Sequence, residues 1–182
     1  RGDAGTRSLN FALQAALNPP KPGKQERRFG DLVFREGDRV MQTRNDYDVV
    51  WQKEDGTAGT GIFNGDVGKI AKIDPSGELL EIVFDDRTAT YTSDMLAELD
   101  MAYAMTVHKA QGSEYRGVVF VGAPCAPSLM VRGVLYTAIT RARELLVIVG
   151  DDSAVNKMAE NDRRSRRYSG LKWRLRKGGE EK

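Results

Sequence analysis

With 182 residues, 40% apolar and 30% charged, the chain has the composition of a globular protein, one medium domain or one domain with a small insertion. No run approaches the roughly 18 apolar residues of a membrane span, and one cysteine (Cys125) with one histidine (His108) builds neither an internal disulfide nor a four-ligand zinc site. The net charge of +2 is uneven: residues 157–182 hold 10 Lys/Arg against 4 Asp/Glu, the rest 18 against 22.

These counts predict an intracellular, cytoplasmic, metal-free protein with no membrane partner. The chain opens on Arg1 without a charged-then-apolar leader, so no signal peptide is expected. A start without Met points to an excised piece of a longer protein. The basic tail suits either a phosphate backbone or plain solvation. Cys125, between Pro124 and Pro127, is expected to be a semi-buried thiol.

Residues 6–17 predict a helix whose Leu9, Leu13 and Leu17 recur at four-residue spacing, with Ala12 and Ala16 on the same face. Asn18-Pro19-Pro20 stops it, and the K-Q-E-R-R run after Gly23 is expected to be an exposed connector. From Asp31 the period changes to that of short strands: Leu32–Phe34 and Arg39–Thr43, separated by a Glu36-Gly37-Asp38 turn. The G-T-A-G-T-G run (Gly56–Gly61) lacks the Gly-Lys-Ser/Thr of a phosphate loop and is expected to be a flexible tip. Asn64-Gly65-Asp66 is a turn, followed by V-G-K-I-A-K-I, the turn D-P-S-G, L-L-E-I-V-F with Leu80, Ile82 and Phe84 on one face, and T-A-T-Y-T. Several short strands with tight turns predict a small inserted barrel. After Asp94 the pattern becomes α/β. Gly117–Gly122 and Leu145–Val149 are continuous apolar strands, the signature of a parallel sheet covered on both faces. Between them a helix is expected over 128–141, with Val131, Val134, Leu135, Ala138 and Ile139 inward; a last helix runs from Ser153 to about Glu160.

Two stretches carry chemistry. In A-M-T-V-H-K-A-Q-G-S-E (Ala104–Glu114), a hydroxyl, an imidazole, an ammonium and a bend at Gly112 can meet a phosphate, and the carboxylate of Glu114 can meet a sugar hydroxyl. Thr106 as a helix N-cap with His108 and Lys109 solvated, and Gly112–Glu114 as a plain turn, are the structural alternatives. In T-A-I-T-R-A-R, Arg141 falls beside Thr137 on one edge of the apolar stripe and Arg143 on the opposite edge, if the helix extends that far. The planar fork of Arg141 suits a transferring phosphoryl group or, equally, a helix end. Asn45 and Tyr47 could touch nucleic acid, or be a turn asparagine and a barrel tyrosine.

T-V-H-K-A-Q-G-S-E followed by L-Y-T-A-I-T-R-A-R resembles motifs V and VI of superfamily 1 DNA helicases of the RecD/TraA type, the group containing the exodeoxyribonuclease V alpha subunit. G-D-R-V-M-Q-T-R-N-D-Y, F-N-G-D-V-G-K-I, the opening R-G-D-A-G-T-R-S-L-N, L-N-P-P and R-R-Y-S-G-L resemble the same family. The resemblance implies a RecA-like second motor domain, α/β with helices on both faces of a parallel sheet, over 1–45 and 98–162. A small SH3-like barrel is implied at 46–97, with its first strand able to begin near 38, and a basic tail at 163–182. It implies Arg141 as the arginine finger, Glu114 on the nucleotide ribose, and Gln111 and Gly112 between nucleotide and DNA. Thr106, His108 and Lys109 are implied on the DNA backbone, with Arg143 structural. Single-stranded DNA, an N-terminal motor domain of the same chain and subunits of a helicase–nuclease complex are the implied partners, and 5′→3′ is the implied polarity.

Neither a G-x-x-x-x-G-K-[ST] loop nor a strand-borne Asp-Glu pair occurs. ATP and Mg2+ are therefore expected to be held mainly by the first motor domain, with none bound by this piece alone, which is expected to be inactive by itself. Asp85-Asp86 and Asp151-Asp152 sit in turn-like contexts, giving no carboxylate cluster for a nuclease. The competing expectation is a nucleic-acid- or protein-binding module with a degenerate motor domain.

Overall fold

The computed structural model describes residues 2–163. The chain divides into two compact units, Arg1–Ser113 and Glu114–Lys182.

The first unit begins with helix α1 (Thr6–Leu17) and a hairpin of β1 (Glu26–Phe29) and β2 (Leu32–Arg35). Seven antiparallel strands follow: β3 (Arg39–Gln42), β4 (Asp46–Gln52), β5 (Ala58–Ile62), β6 (Val67–Ile73), β7 (Leu79–Phe84), β8 (Arg87–Thr92) and, after a 3-10 turn at Met95–Glu98, β9 (Leu99–Met101). They form one sheet in the order β5-β4-β8-β7-β6-β3-β9. Among the described residues the end strands β5 and β9 do not pair with each other, so in place of the expected closed barrel there is an open sheet. Alternation sets its core: Leu80, Ile82 and Phe84 point inward as the sequence predicts and meet Phe34, Val40, Ile62, Ile70 and Tyr91, all fully buried.

Three expectations are corrected in this unit. The K-Q-E-R-R run is not a bare connector, because Glu26–Phe29 pairs with Leu32–Arg35 across a two-residue Gly30-Asp31 turn. The Gly56–Gly61 run is not a flexible tip: its second half is β5, paired with β4. A Cβ at Gly59 would stand 2.4 Å from the Trp51 ring, so glycine there is what lets the indole lie across its neighbouring strand. And α1 does not bury its leucine stripe. Asn10, Gln14 and Asn18 are the buried residues, while Leu17 is 68% exposed. The buried face consists of amides because the surface that receives it is polar. Gln14 Nε2 donates to Val33 O (2.8 Å) and Asp38 Oδ2 (2.6 Å), and Asn18 Nδ2 to Glu36 O (3.1 Å) and Asp38 Oδ1 (2.7 Å). Arg35 N (2.8 Å) and Tyr103 OH (2.8 Å) complete the shell of the fully buried Asp38. Four donors thus satisfy this carboxylate.

The second unit is a β–α–β crossover: β10 (Tyr115–Gly122), α2 (Arg132–Ile139) and β11 (Ala142–Gly150), then α3 (Asp152–Glu160). β10 and β11 pair in parallel from Tyr115↔Ala142 to Gly122↔Gly150, as their apolar runs predict. Coverage differs from the expectation. The sheet has two strands among the described residues, and the face carrying Val119, Val121, Leu145, Val147 and Val149 is open, with Val119 66% and Leu145 59% exposed. One crossover and the helix after it can cover only one face. There Leu135 and Ala138 of α2, and Ala154 and Met158 of α3, are buried. Arg132 clasps the two helices by donating to Ala159 O (2.6 Å) and Glu160 O (3.3 Å). The helix expected over 128–141 is shorter at both ends, since 127–130 form a turn. Cys125 is exposed rather than semi-buried, because its proline-flanked loop belongs to no packed element.

Candidate functional site

In the first unit, Thr106–Gly112 forms a run of turns rather than a helix. Thr106 nonetheless caps it as a helix start would: its Oγ1 accepts from Lys109 N (3.3 Å) and its carbonyl from Ala110 N (3.1 Å). Gly112, at φ +86°, supplies the bend expected of it. Ala110 is buried beneath the turn, so Thr106, His108, Lys109 and Gln111 are presented to solvent. Lys109 Nζ lies 3.3 Å from Asp100 Oδ2, with both side chains close to half exposed. A pair of that kind is worth under about 1 kcal/mol, little enough for an arriving phosphate to replace the carboxylate.

Asn45 and Tyr47 come together in the same unit. Asn45 Nδ2 reaches Tyr47 OH at 3.5 Å, and its Oδ1 accepts from Asn64 N (3.0 Å), tying the start of β4 to the turn between β5 and β6. Tyr47 is 66% exposed and meets Phe63 edge-to-face with ring centroids 5.6 Å apart. Phe63, absent from the sequence-based set, makes this a two-ring surface. Its signal was the F-N-G-D stretch, where a partly exposed aromatic precedes a tight turn. Arg44 beside them is held by Glu98 (3.1 Å).

In the second unit the parallel register brings Glu114, Arg141 and Arg143 to the same end of the sheet. Tyr115 N donates to Arg141 O (2.8 Å), and Arg143 Nε to Glu114 Oε2 (2.7 Å). Since α2 ends at Ile139, the two arginines are not on opposite edges of one helix as expected; Arg143 lies on β11. Arg141 is half-buried and folds back on the helix end, its Nε donating to Thr137 O (3.1 Å) and one terminal nitrogen to Thr140 Oγ1 (3.2 Å). A cation on the last carbonyls of a helix is favoured by the dipole, so the guanidinium is held in a defined direction before any ligand arrives. Asp151 caps α3 by accepting from Ser153 N (2.8 Å), and hydrogen bonds from Ser153 hold its carboxyl below the usual carboxylate range.

Among the described residues no helix is long and apolar enough to cross a membrane, and no group of three or more His, Cys, Asp or Glu side chains is placed to hold a metal ion. Most of the basic tail, from 164 on, lies outside the described residues.

Two family models match the chain: the ATP-dependent RecD-like DNA helicase SH3 domain over residues 9–84, and the UvrD-like helicase C-terminal domain over residues 101–149. The chain is 36% identical over 166 residues to the ATP-dependent RecD2 DNA helicase of Deinococcus radiodurans, covering 91% of this chain and 21% of that protein. It is 32% identical over 143 residues to the RecBCD enzyme subunit RecD of Mycolicibacterium smegmatis, covering 79% and 23%. With the RecBCD enzyme subunit RecD of Haemophilus influenzae the identity is 27% over 116 residues, covering 64% and 15%. The chain thus spans about a fifth of the length of these curated relatives.

Proposed function

The chain belongs to the RecD-like superfamily 1 helicases, and from that premise we propose that it is the second motor half of an ATP-dependent DNA helicase acting 5′→3′ on single-stranded DNA in recombination or repair. The observation that carries this reading is the parallel pairing that brings the backbones at Glu114–Tyr115 and Arg141–Ala142 together at one end of β10 and β11. A carboxylate for a ribose and a guanidinium for a γ-phosphate belong together at such an end, the guanidinium leaving the helix-end carbonyl of Thr137 to reach the phosphate. Arg141 is the arginine finger, stabilising charge that develops on the phosphoryl oxygens. Glu114 exchanges Arg143 for the ribose hydroxyls. Gln111 and Gly112 link nucleotide to DNA. Thr106, His108 and Lys109 hold the DNA backbone, and Asn45 and Tyr47 contact the backbone or a base of the DNA.

The phosphate cradle and the Mg2+ ligands belong to the first motor domain, outside this chain. Residues 1–45 and 98–162 are assigned to the second motor domain, 46–97 to the inserted SH3-like domain and 163–182 to a basic tail. Single-stranded DNA, the first motor domain and subunits of a helicase–nuclease complex are the partners. Closing and opening of the two motor halves, driven by ATP, changes the grip on phosphates and moves the strand.

The self-contained core of the first unit supports a second reading, a binding module attached to a degenerate motor. ATP turnover with single-stranded DNA separates the two. The full-length protein is expected to show DNA-stimulated turnover and the isolated 182-residue chain none. Robust hydrolysis by the isolated chain, or none by the full-length protein, contradicts the motor assignment.

A further inference from the structure

We propose that Asn10, backed by Gln14 and Asn18, is a positioning residue for the Thr106–Gly112 turn; the proposal rests on that turn being a DNA-contacting element. Its basis is one amide that does the work of a missing strand. The ladder of β9 against β3 ends at Met101. Beyond it, Asn10 Oδ1 accepts from Ala104 N (2.7 Å), and Asn10 Nδ2 donates to Ala104 O (2.9 Å) and Met101 O (3.1 Å). A carboxamide presents one donor end and one acceptor end, as a peptide group does, so it satisfies both backbone groups of Ala104 where no strand runs alongside. Neither an aliphatic residue nor a carboxylate at position 10 can form this set of bonds.

The remaining amides fix where α1 places that rung. Asn10, Gln14 and Asn18 follow one stripe of the helix at four-residue spacing. The lower two grip Asp38, which also receives Tyr103 OH. Lys24 Nζ donates to Asn18 Oδ1 and Arg35 to Asn18 O, locking the foot of the helix. The segment Met101–Ala104 is therefore held by the β3 ladder, by Asp38 through Tyr103 and by Asn10. Ala104 lies two residues before Thr106. The turn beyond it is held by bonds of 3.1 Å (Ala110 N to Thr106 O) and 3.3 Å (Lys109 N to Thr106 Oγ1, Gln111 N to His108 O and Ser113 N to Ala110 O), longer than the 2.7 Å and 2.9 Å bonds at Ala104. The direction in which Thr106 and His108 are presented is thus inherited from the root at Ala104, and the root from Asn10.

The experiment uses Asn10→Ala in the full-length protein, with single-stranded DNA titrated into an ATPase assay. The DNA concentration for half-maximal stimulation is expected to rise roughly tenfold or more, with any change in DNA-free turnover or in the KM for ATP, passed on through Gln111 and Gly112, well below that. A folded variant with unchanged DNA dependence overturns the proposal, as does a parallel loss of DNA-free turnover, which marks a merely structural role. Amide exchange on the 182-residue chain is the second measurement. Exchange at Ala104 and across 106–112 is expected to speed up in Asn10→Ala, and unchanged protection there overturns the proposal. Asn10→Ser, which keeps one hydroxyl for the rung, gives both readouts at smaller amplitude if Asn10→Ala does not fold. Should wild-type protein show no DNA stimulation, the motor reading fails while the exchange comparison still decides the positioning role.

Discussion

The two units bury their apolar residues to very different extents. In the first, alternating strands send one side chain in two inward, and Phe34, Ile62, Ile70, Leu80, Ile82, Phe84 and Tyr91 are removed from water entirely. In the second, β10 and β11 are apolar on both faces, yet helices pack on one only, where Phe120 is buried but Ile148 stays 43% exposed, and on the other Val119, Leu145 and Val149 are at least half exposed. An antiparallel sheet with a polar outer face can complete its core from its own residues; a parallel pair with two apolar faces cannot. The candidate nucleotide residues Glu114 and Arg141 lie in the less covered unit. Glu114 and Arg141 thus stand on the less covered framework, while Thr106–Gly112, Asn45 and Tyr47 belong to the well-packed unit.

That contrast can be broken most directly in the two cores. Ile82→Ala empties a fully buried site on β7 and is expected to cost about 2–5 kcal/mol, whereas Val147→Ala on the open face of β11 is expected to cost well under about 1 kcal/mol. Urea titrations followed by circular dichroism measure both, and equal losses would erase the distinction. Next comes Gly59→Ala, whose new methyl meets the Trp51 ring in β4. Displacing the indole is expected to cost about 1–3 kcal/mol, visible as a lower urea midpoint with an altered indole fluorescence.

Alkaline pH should also act on the first unit. Burial, followed by the hydrogen bond to Asp38, pushes the Tyr103 hydroxyl from its ordinary 10.0 up to about 12, and burial pushes Tyr91 up as well. The folded state thus holds these protons after the unfolded chain has released them. Stability from this source is complete below pH 10 and is lost as pH rises toward about 12. A melting temperature that falls across that window in wild type, and falls less in Tyr103→Phe, is the expected result; identical profiles would remove Tyr103 from the account. The smallest effect belongs to the second unit's surface. Glu144→Ala breaks the exposed forked pair with Arg116 and should change stability by less than about 1 kcal/mol, shrinking further in high salt.

Much of this was legible in the residues. The inward face of β7 followed from Leu80, Ile82 and Phe84, and the parallel pairing of β10 with β11 from two unbroken apolar runs. Other parts were hidden for physical reasons. In α1, leucines and amides recur at the same four-residue spacing, and periodicity alone does not say which stripe is inward; the buried Asp38 decides it. The Gly56–Gly61 run looked like a loop because glycine weakens strands in isolation, while the strand exists through its pairing with β4. The end of α2 is not legible in the sequence because Arg141 and Arg143 fit a helical wheel as well as a strand. Phe63 joined Tyr47 only through the turn at Asn64 that Asn45 holds. The candidate site was legible as two motifs, but its local geometry, Arg141 on a helix end and Glu114 on Arg143, was not.

Arg141 and Arg143 stand two residues apart with different partners, and replacing each by alanine in the full-length protein tests the central claim most directly. Arg141→Ala is expected to lower DNA-stimulated ATP turnover roughly 1,000-fold while ATP affinity stays within a modest factor, and Arg143→Ala to leave most of the turnover in place. Unchanged turnover in Arg141→Ala, or an equal loss in both variants, would contradict the assignment of Arg141 as the group that reaches the phosphate.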